Sequence, residues 1–490
     1  MDEYHLKREL GLVRTTMLGI GGTLSAANFV IIGEAAGMAG YAIVPIVVIC
    51  GLLSLLTMFS YAELGTAIPL AGGEYTFSKV AYGGFTSFLT GWFEWLSNMF
   101  YTALSAIGFA YVVSYIFPQI NIPLTAVAVV IVFAAINLRG TKETATAETI
   151  ITIIVLAILA ILVIGGWYFI QGSQPTPQSS STIGLFGIFA ATAYLFELYL
   201  GAEAVAAAQA EVKNPGRNIP LAIVLSAVVL ITLYTSVVVI AVGIVPPEVL
   251  SEQSSPIAFV AEQALGPAGG VLITIGLAIA GLAATNEAIL AQSRVLYAMS
   301  RDGYMPKGLC RIHKRFCTPH IAIFVSTILT VIFAATGLVN FVVYAVNLGF
   351  IIGFSIVNLS VIRLRKIAPH LKRPFKTPLY PLTPIAGIAA SIFLALFIDP
   401  SVLILGFELI IVAMLVYYIR MVGQNRIRIA FGGISLGLGA FVAFLTYLVG
   451  NNMFLQGISP GIRILILGFL VFISIIQISA GVLNLLAPDH

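Results

Sequence analysis

Apolar runs of about 20 residues recur from one end of this 490-residue chain to the other, with few charged residues inside them. A helix of that length crosses a hydrocarbon core of about 30 Å and satisfies its own backbone hydrogen bonds. Only 9% of the residues are charged, against about 25% in soluble domains. The pattern predicts an all-α polytopic membrane protein without a soluble domain of useful size.

The apolar windows predict about fourteen membrane spans, at approximately 12–33, 41–66, 84–116, 123–138, 147–170, 183–208, 218–244, 268–298, 320–338, 341–362, 382–398, 401–419, 428–449 and 462–486. With the N-terminus in the cytoplasm, all of the 24 Lys and Arg residues except Arg463 lie on the inner side, as the positive-inside rule requires. An even number of spans places both termini in the cytoplasm. We predict a multi-pass protein of a cell membrane, inner or plasma.

Two of these spans contain interruptions. The first reads "GIGGTLSAANFVIIGEAAGMAG", with small residues and Asn28, and the sixth reads "FELYLGAEAV", with Gly201 between two acids. Spans five apart that are both discontinuous indicate two inverted five-span repeats around a midplane site. The predicted division is a first repeat over 1–170, a second over 183–363 and four C-terminal spans over 380–490.

Carboxylates lie deep in the predicted spans, whereas no lysine or arginine does. Such an acid is costly to bury unless it is protonated, faces water or meets a cation from solution. A break at Gly201 would let Glu197 and Glu203 line one cavity. The alternative, a protonated acid hydrogen-bonded between helices, stays open for both, and for the other deep acids Glu94, Glu287 and Glu408.

Catalytic and metal-binding patterns do not stand out. Cys50 falls in a span and Cys310 and Cys317 in a basic loop, which indicates neither a disulfide framework nor a metal cluster. Motifs such as HExxH and GxxxxGK[ST] are missing. The net charge of +4 comes from basic loops between spans, not from a nucleic-acid surface. We predict neither an enzyme nor a resident metal or cofactor.

Four stretches in order resemble the amino acid/polyamine/organocation superfamily of permeases, and fourteen spans are most similar to its cationic amino acid transporter branch. The stretches are "YAELGTAIPLAGGEYTF" (61–77), "NLRGTKETA" (137–145), "GAEAVAAAQAEVKNPGRNIPLAI" (201–223) and "ATNEAILAQSRVLYAMSRDGYMPKGLCRIHKRFCTPHIAI" (284–323). The resemblance implies a leucine-transporter-type fold, in which discontinuous spans 1 and 6 hold an amino acid or amine and access alternates. Locally, Asn218 is predicted to cap span 7, with Pro220 in its first turn.

The resemblance also implies a substrate site at the first break. Relatives carry a Gly-x-Gly signature there, whose free amides receive the substrate carboxylate. This chain has Ser25, Ala26, Ala27 and Asn28 instead, so small size is kept and the glycines are not. Asn28 either contacts the substrate or caps the broken half-helix, and Phe29 is a candidate gate.

At the second break, Glu203 falls where relatives carry an acid linked with proton sensing or gating. Glu197 falls where some relatives place an aromatic residue, and a carboxylate there favours a cationic ligand, although it could be a second proton site. Gly201 supplies the break, and Tyr199 and Leu200 add carbonyls or packing.

Coupling stays open between proton and sodium. Many proton-coupled relatives carry a lysine in span 5, at a position that falls near Val155 here, and no base lies nearby. Thr285 on span 8 is a candidate hydroxyl for sodium.

The sequence therefore predicts secondary active transport of amino acids, leaning to cationic amino acids or polyamines. Two alternatives remain: a neutral or branched-chain amino acid permease with protonated Glu197, and a non-transporting sensor or subunit on the same scaffold. The oligomeric state stays open.

Overall fold

The computed structural model of the protein describes residues 10–68, 72–139, 145–172, 184–207, 209–316, 318–421, 434–435, 437–439, 441–442, 445–446 and 460–486. Apart from one isolated bridge between Leu10 and Val212, every regular element in these ranges is helical. The chain divides into two compact units, residues 1–410 and 411–490. The all-helical class predicted from the sequence is thus confirmed over the described part of the chain.

The α-helices, numbered along the chain, are α1 Leu12–Thr23, α2 Ala26–Ala39, α3 Ile43–Ala67, α4 Gly73–Ala81, α5 Gly84–Ser114, α6 Ile122–Arg139, α7 Ala145–Gly172, α8 Leu185–Leu195, α9 Ala204–Ala207, α10 Pro215–Ile244, α11 Pro247–Ser251, α12 Pro256–Leu265, α13 Pro267–Arg301, α14 His320–Ala334, α15 Val339–Ile367, α16 Leu382–Ala395, α17 Pro400–Met421 and α18 Pro460–Leu486. Short 3₁₀ turns cover Gly40–Ala42, Phe196–Tyr199, Gln209–Glu211 and Lys307–Cys310.

Many of these helices are long and apolar enough to cross a membrane. By length and composition, eight candidate spans occur among the described residues: Ala26–Ala67, Gly84–Ser114, Ile122–Arg139, Glu148–Gln171, Pro215–Ile244, Pro267–Arg301, Val339–Ile367 and Pro400–Tyr417. Shorter apolar helices accompany them. The predicted span 428–449 falls largely outside the described residues, as do both termini.

The first unit is built around α5, which packs against α13 and α15. By contrast, α6 and α7 carry large apolar side chains that are exposed in the described part of the chain, among them Leu124, Ile131, Ile154 and Ile164. In a membrane protein such side chains face lipid tails, which are as apolar as they are. The interior of the unit therefore lies along α5, where its neighbours can place a shielded site.

One buried ion pair fixes the end of α3 to the end of α15. The carboxylate of Glu63 is 1% exposed and accepts from Arg365, with a distance of 2.6 Å between Oε2 and Nη2. Arg373 lies 3.3 Å from the other carboxylate oxygen, and the Thr377 amide donates to Oε2 at 2.7 Å. The loop that follows α15 is thereby held against α3.

The predicted start of span 7 is wrong by three residues. Helix α10 begins at Pro215, and Asn214 before it has φ 46°, a left-handed conformation that asparagine tolerates. Proline fits the first helical position because its fixed φ suits a helix and its missing N–H would have no partner there. Asn218 therefore lies inside the helix, where its side chain donates to the Lys213 carbonyl at 2.5 Å instead of capping the helix.

Candidate functional site

The first break separates α1 from α2. Helix α1 ends at Thr23, Leu24 and Ser25 have extended backbone, and α2 starts at Ala26. The Ser25 hydroxyl accepts from the Ala27 amide at 3.3 Å, which is an N-cap, and donates to the Ser105 hydroxyl on α5 at 3.1 Å. The interruption predicted from the small residues of span 1 is present, and Ser25 caps the half-helix that follows it.

The second break follows α8. The helix tightens into the 3₁₀ turn Phe196–Tyr199, Leu200 is extended, and Gly201 has φ 108°. That backbone conformation is one that glycine adopts readily and other residues rarely do. A short helix, α9, resumes at Ala204. The break predicted at Gly201 is therefore present.

The two breaks touch each other, backbone to backbone. A Cβ atom on Gly201 would lie 2.1 Å from the carbonyl oxygen of Gly22, closer than any real contact. The same carbonyl accepts from the Tyr101 hydroxyl of α5 at 3.1 Å. Glycine is required at position 201 both by its φ and by this crossing.

Asn28 ties the two half-helices of the first break together. Its side-chain amide donates to the Thr23 carbonyl at 2.8 Å and to the Tyr234 hydroxyl at 2.7 Å. Tyr234 in turn donates to the Thr23 carbonyl at 3.3 Å. The Oδ1 atom of Asn28 is buried and has no hydrogen-bond partner in the described structure. Asn28 thus braces the break, while Ser25 supplies the cap.

Glu197 is the least satisfied group of the site. It is fully buried, and neither carboxylate oxygen has a hydrogen-bond partner among the described residues. A charged carboxylate in such surroundings is costly, so this side chain needs a proton or a cation from solution.

Tyrosines surround Glu197 without neutralising it. Tyr101, Tyr194 and Tyr234 all interact electrostatically with its carboxylate. Their hydroxyls donate elsewhere, namely to the carbonyls of Gly22 and Thr23 and to the side chain of Asn340. The hydroxyl groups of these three tyrosines therefore do not donate to Glu197.

Glu203 has a different environment from Glu197. Both of its carboxylate oxygens accept from the Gly201 amide, at 3.0 and 2.9 Å. Its electrostatic neighbours include Tyr61, the two acids Glu74 and Glu94, and Tyr101, which it shares with Glu197. The carboxylate thus turns back onto the break itself and faces an acidic region, whereas Glu197 faces Tyr234.

The N-terminal turn of α2 is tightly covered. A Cβ on Gly281 would lie 2.7 Å from the Cβ of Ala26, and one on Gly108 would lie 2.4 Å from the amide nitrogen of Ala27. Helices approach this closely in membranes where small residues meet. Ser25, Ala26, Ala27 and Asn28 are all fully buried as a result.

The other predicted site residues pack around Tyr234. Its ring centroid lies 5.8 Å from that of Phe29 and 5.7 Å from that of Tyr199. Leu200 is fully buried, and the Tyr199 hydroxyl donates to the Val47 carbonyl at 2.8 Å. Sequence analysis missed Tyr234, whose only distinction is to be a tyrosine in an aliphatic run.

A cavity of about 260 Å³ lies beside the first break, between α1, α6, α7 and α13. Its polar lining comes from Glu148, Thr152, Asn286 and Glu287, and Val155 also lines it. Thr285 is not among the lining residues, and its hydroxyl donates within α13 to the Gly281 carbonyl at 2.8 Å. The wall is mostly apolar, and the carboxylate, amide and hydroxyl oxygens of these four side chains are the groups that could bind a small hard cation or a proton.

Two contacts join helix ends that lie outside the two breaks. The Leu10 amide donates to the Glu211 carbonyl at 3.0 Å, and the Lys213 amide donates to the Leu10 carbonyl at 2.8 Å. This bridge joins the residue before α1 to the segment after α9.

The second contact joins α4 to the end of α13. The Asp302 carboxylate accepts from Lys79 at 2.6 Å and from the Tyr75 hydroxyl at 2.7 Å. Burial alone raises the pKa of Asp302, but these two hydrogen bonds outweigh it and hold the pKa below the ordinary aspartate value. The carboxylate is therefore charged at neutral pH.

A polytopic helical protein whose two broken helices cross beside a buried carboxylate has the architecture of a secondary transporter. The chain belongs to the amino acid permease family, since the family profile described as "Amino acid permease" matches residues 10–420. The predicted superfamily is thereby confirmed, and the match extends past the ten spans on which the resemblance was based.

Relatives with different printed substrates cover most of the chain. A methylthioribose transporter of Bacillus subtilis (strain 168) is 32% identical over 84% of this chain and 93% of its own length. The branched-chain amino acid permease BcaP of the same strain is 27% identical over 85% and 94%. A vacuolar cationic amino acid transporter 2 of Arabidopsis thaliana is 28% identical over 75% and 61%. All three are named as transporters or permeases, not as enzymes.

Proposed function

We propose that this protein is a secondary active transporter that moves amino acids across a cell membrane by alternating access, with a preference for cationic amino acids or polyamines. The observation that carries the proposal is the Glu197 carboxylate, buried beside the crossing of the two breaks with no hydrogen-bond partner in the described structure. An ammonium group supplies both the opposite charge and the donors that this carboxylate lacks.

The proposed topology has fourteen spans, with inverted repeats over 1–170 and 183–363, four further spans over 380–490 and both termini in the cytoplasm. The distribution of lysine and arginine supports it, because the predicted spans put all of these residues but Arg463 on one side. The breaks in the first and sixth predicted spans support the repeats.

In the proposed site, Glu197 binds the ammonium group and the free Oδ1 of Asn28 accepts a further hydrogen bond. Gly201 allows the close crossing, and Ser25, Ala26 and Ala27 form the opposite wall. Phe29, Tyr199 and Leu200 provide packing, with Phe29 as a gate. Glu203 acts as gate or proton acceptor, because its carboxylate is bonded to the break whose backbone has to move.

Coupling to a proton or to sodium is proposed at the cavity beside the first break. Its carboxylate, amide and hydroxyl oxygens are ligands for a cation, and the carboxylates can also take a proton. Thr285 was the hydroxyl considered for sodium. Thr152 is the better candidate of the two because it lines the cavity, although the hydroxyls of both donate to the carbonyl four residues earlier.

A second candidate is the transport of a neutral solute with a proton held on Glu197. Two relatives support it, since their printed names specify branched-chain amino acids and methylthioribose. A protonated carboxyl group would then donate one hydrogen bond and accept another. A sensor or subunit without transport activity is the remaining alternative.

The test is binding and uptake by the purified full-length protein, with Glu197→Gln and the control Glu408→Gln. The control removes a carboxylate from α17, away from the site. A hydrogen bond to a charged group contributes about 1.5–3 kcal/mol, so Glu197→Gln should weaken binding of lysine or arginine by about 10- to 150-fold. Glu408→Gln should bind as the wild type does. The measurements are calorimetric titration and radiolabelled uptake into proteoliposomes.

Each outcome favours one hypothesis. Equal binding of leucine by wild type and Glu197→Gln, with no binding of lysine, would replace the cationic preference by the neutral one. Binding without any uptake into proteoliposomes would favour the sensor.

A further inference from the structure

We propose that this site binds its ligand only through hydrogen-bond donors that the ligand itself supplies. A carboxylate on the ligand therefore contributes nothing to binding. The inference rests on the proposed function and names the part of the ligand that the site binds. A decarboxylated amine should accordingly be as good a ligand as the amino acid from which it derives.

The buried side-chain atoms without a partner at the crossing are all acceptors when Glu197 is charged. They are Oδ1 of Asn28 and both carboxylate oxygens of Glu197, each buried and without a hydrogen-bond partner in the described structure. Tyr234 connects them, because it accepts from the Asn28 amide and interacts electrostatically with Glu197. A ligand that meets these atoms has to bring N–H or O–H groups.

The place where a carboxylate would dock is closed. The first turn of a helix is an anion site when its amides are free to point at a ligand. Here the Ala27 amide is bonded to the Ser25 hydroxyl. Gly108 and Gly281 pack directly on Ala27 and Ala26, so two neighbouring helices occupy the space beside this turn.

No cationic side chain takes over that role. The stretches 15–78, 80–138, 143–212 and 218–293 contain neither lysine nor arginine. Both breaks, Tyr101 and Tyr234 lie within them. A ligand carboxylate would therefore meet the negative charge of Glu197 without a balancing cation, and it would lose its water without gaining a charged donor.

The experiment compares ligands that differ only by the carboxylate, on the full-length wild-type protein in lipid nanodiscs. The pairs are lysine with cadaverine, arginine with agmatine and ornithine with putrescine, measured by calorimetric titration. In every pair that binds, the amine should bind at least as tightly as the amino acid. An amino acid that binds tenfold or more tightly than its amine overturns the inference and leaves the proposed function standing.

A neutral ligand distinguishes binding through hydroxyl donors from binding through ammonium donors. Methylthioribose offers hydroxyl groups without a charge, and Glu197→Gln keeps an acceptor oxygen while removing the charge. Amine binding should fall at least tenfold in this variant, and by a larger factor than binding of methylthioribose falls. If none of the amines, amino acids or methylthioribose binds or is transported, the proposed function and the inference both fail.

A gain-of-function variant tests the closed anion site directly. Ser25→Gly removes the hydroxyl that bonds the Ala27 amide and so frees one donor. Lysine should then gain at least threefold in affinity relative to cadaverine. A lysine-to-cadaverine ratio that stays at the wild-type value in a folded variant would count against the inference. The wild-type pairs remain a test even if the variant does not fold.

Discussion

At the scale of single residues, the site depends on glycine where two backbones cross. Gly201 combines a positive φ with contact to the Gly22 carbonyl. Each demand alone restricts the side chain, and together they leave no room for a Cβ. The crossing is what brings Glu197, Asn28 and Tyr234 into one region.

We expect Gly201→Ala to lower the melting temperature Tm more than a left-handed φ alone would. The φ costs about 1–2 kcal/mol, and the clash with backbone adds to it because a carbonyl cannot rotate away as a flexible side chain can. Gly266→Ala measures the cost of a positive φ without a clash, since Gly266 has φ 76° and open space around it. Gly11→Ala, also in open space without positive φ, should lower Tm least, because it only replaces the glycine N-cap of α1.

Scanning fluorimetry of the purified proteins would rank these variants. A Tm for Gly201→Ala equal to that of Gly266→Ala would mean that the two breaks do not press on each other. Proteoliposome uptake should fall only in Gly201→Ala.

A pH prediction follows from Asp302, whose pKa in the folded state lies below the ordinary value. A lowered pKa stabilises the folded protein above the unfolded pKa, about 3.9, and that stabilisation is lost as the pH falls through the folded pKa. The Tm difference between wild type and Asp302→Asn should therefore be constant from pH 7 to pH 5 and shrink below about pH 4.

The matched control for this series is Glu252→Gln, which removes an exposed carboxylate from a loop. Its Tm difference from the wild type should stay small throughout. A Tm difference between wild type and Asp302→Asn that grows as the pH falls would contradict a lowered pKa for Asp302.

Sequence analysis identified Glu197, Gly201 and Asn28 because polar or flexible residues in an apolar span are conspicuous. It could not identify Tyr234, whose part depends on α10 lying against both breaks, a long-range packing relation. It also could not separate the environments of Glu197 and Glu203. That difference arises from the Gly201 backbone, whose amide turns toward Glu203.

At the scale of elements, the breaks were predictable and the links between half-helices were not. Small residues and a glycine between acids predicted both interruptions. The Leu10–Val212 bridge is formed only by main-chain groups, which every residue pair of this kind carries. No side-chain pattern could therefore predict it. This bridge joins the residue before α1 to the segment after α9, and α1 also accepts from Ser226 of α10 at the Thr16 carbonyl, at 3.0 Å.

If α1 and α9 move together, a cross-link between them should not stop transport. We expect Leu10→Cys combined with Val212→Cys, in a background lacking the three native cysteines, to form a disulfide on oxidation. Bridged strands lie about 4.8 Å apart, within the Cα separation that a disulfide spans. Uptake by the oxidised protein should stay within about twofold of the reduced protein.

The reduced form of the same protein is the internal control, and each single-cysteine variant tests for oxidation damage. Complete loss of uptake that reductant restores would show that α1 and α9 must separate during transport.

At the scale of the whole molecule, every residue of the proposed site belongs to the first unit, residues 1–410. The family profile ends at residue 420, close to the boundary of that unit. The sequence predicted a C-terminal group of four spans and left their role open. A chain that ends after α17 should therefore still bind.

We expect the protein truncated after Met421 to bind its ligand with a Kd within about threefold of the full-length value. Calorimetric titration on monodisperse protein in nanodiscs measures this. The intact chain carried through the same purification is the control. A monodisperse truncated protein without affinity would place part of the binding apparatus in residues 422–490.

The bridge before α1 also has a genetic consequence. A lesion in residues 10–23 that tilts α1 wrongly would be passed through Leu10 to the segment around Val212. Second-site suppressors of such lesions should therefore cluster in residues 201–213, far away along the chain. Evolutionary substitutions in these two segments would then be correlated, because the residues of each segment restrict which substitutions the other tolerates.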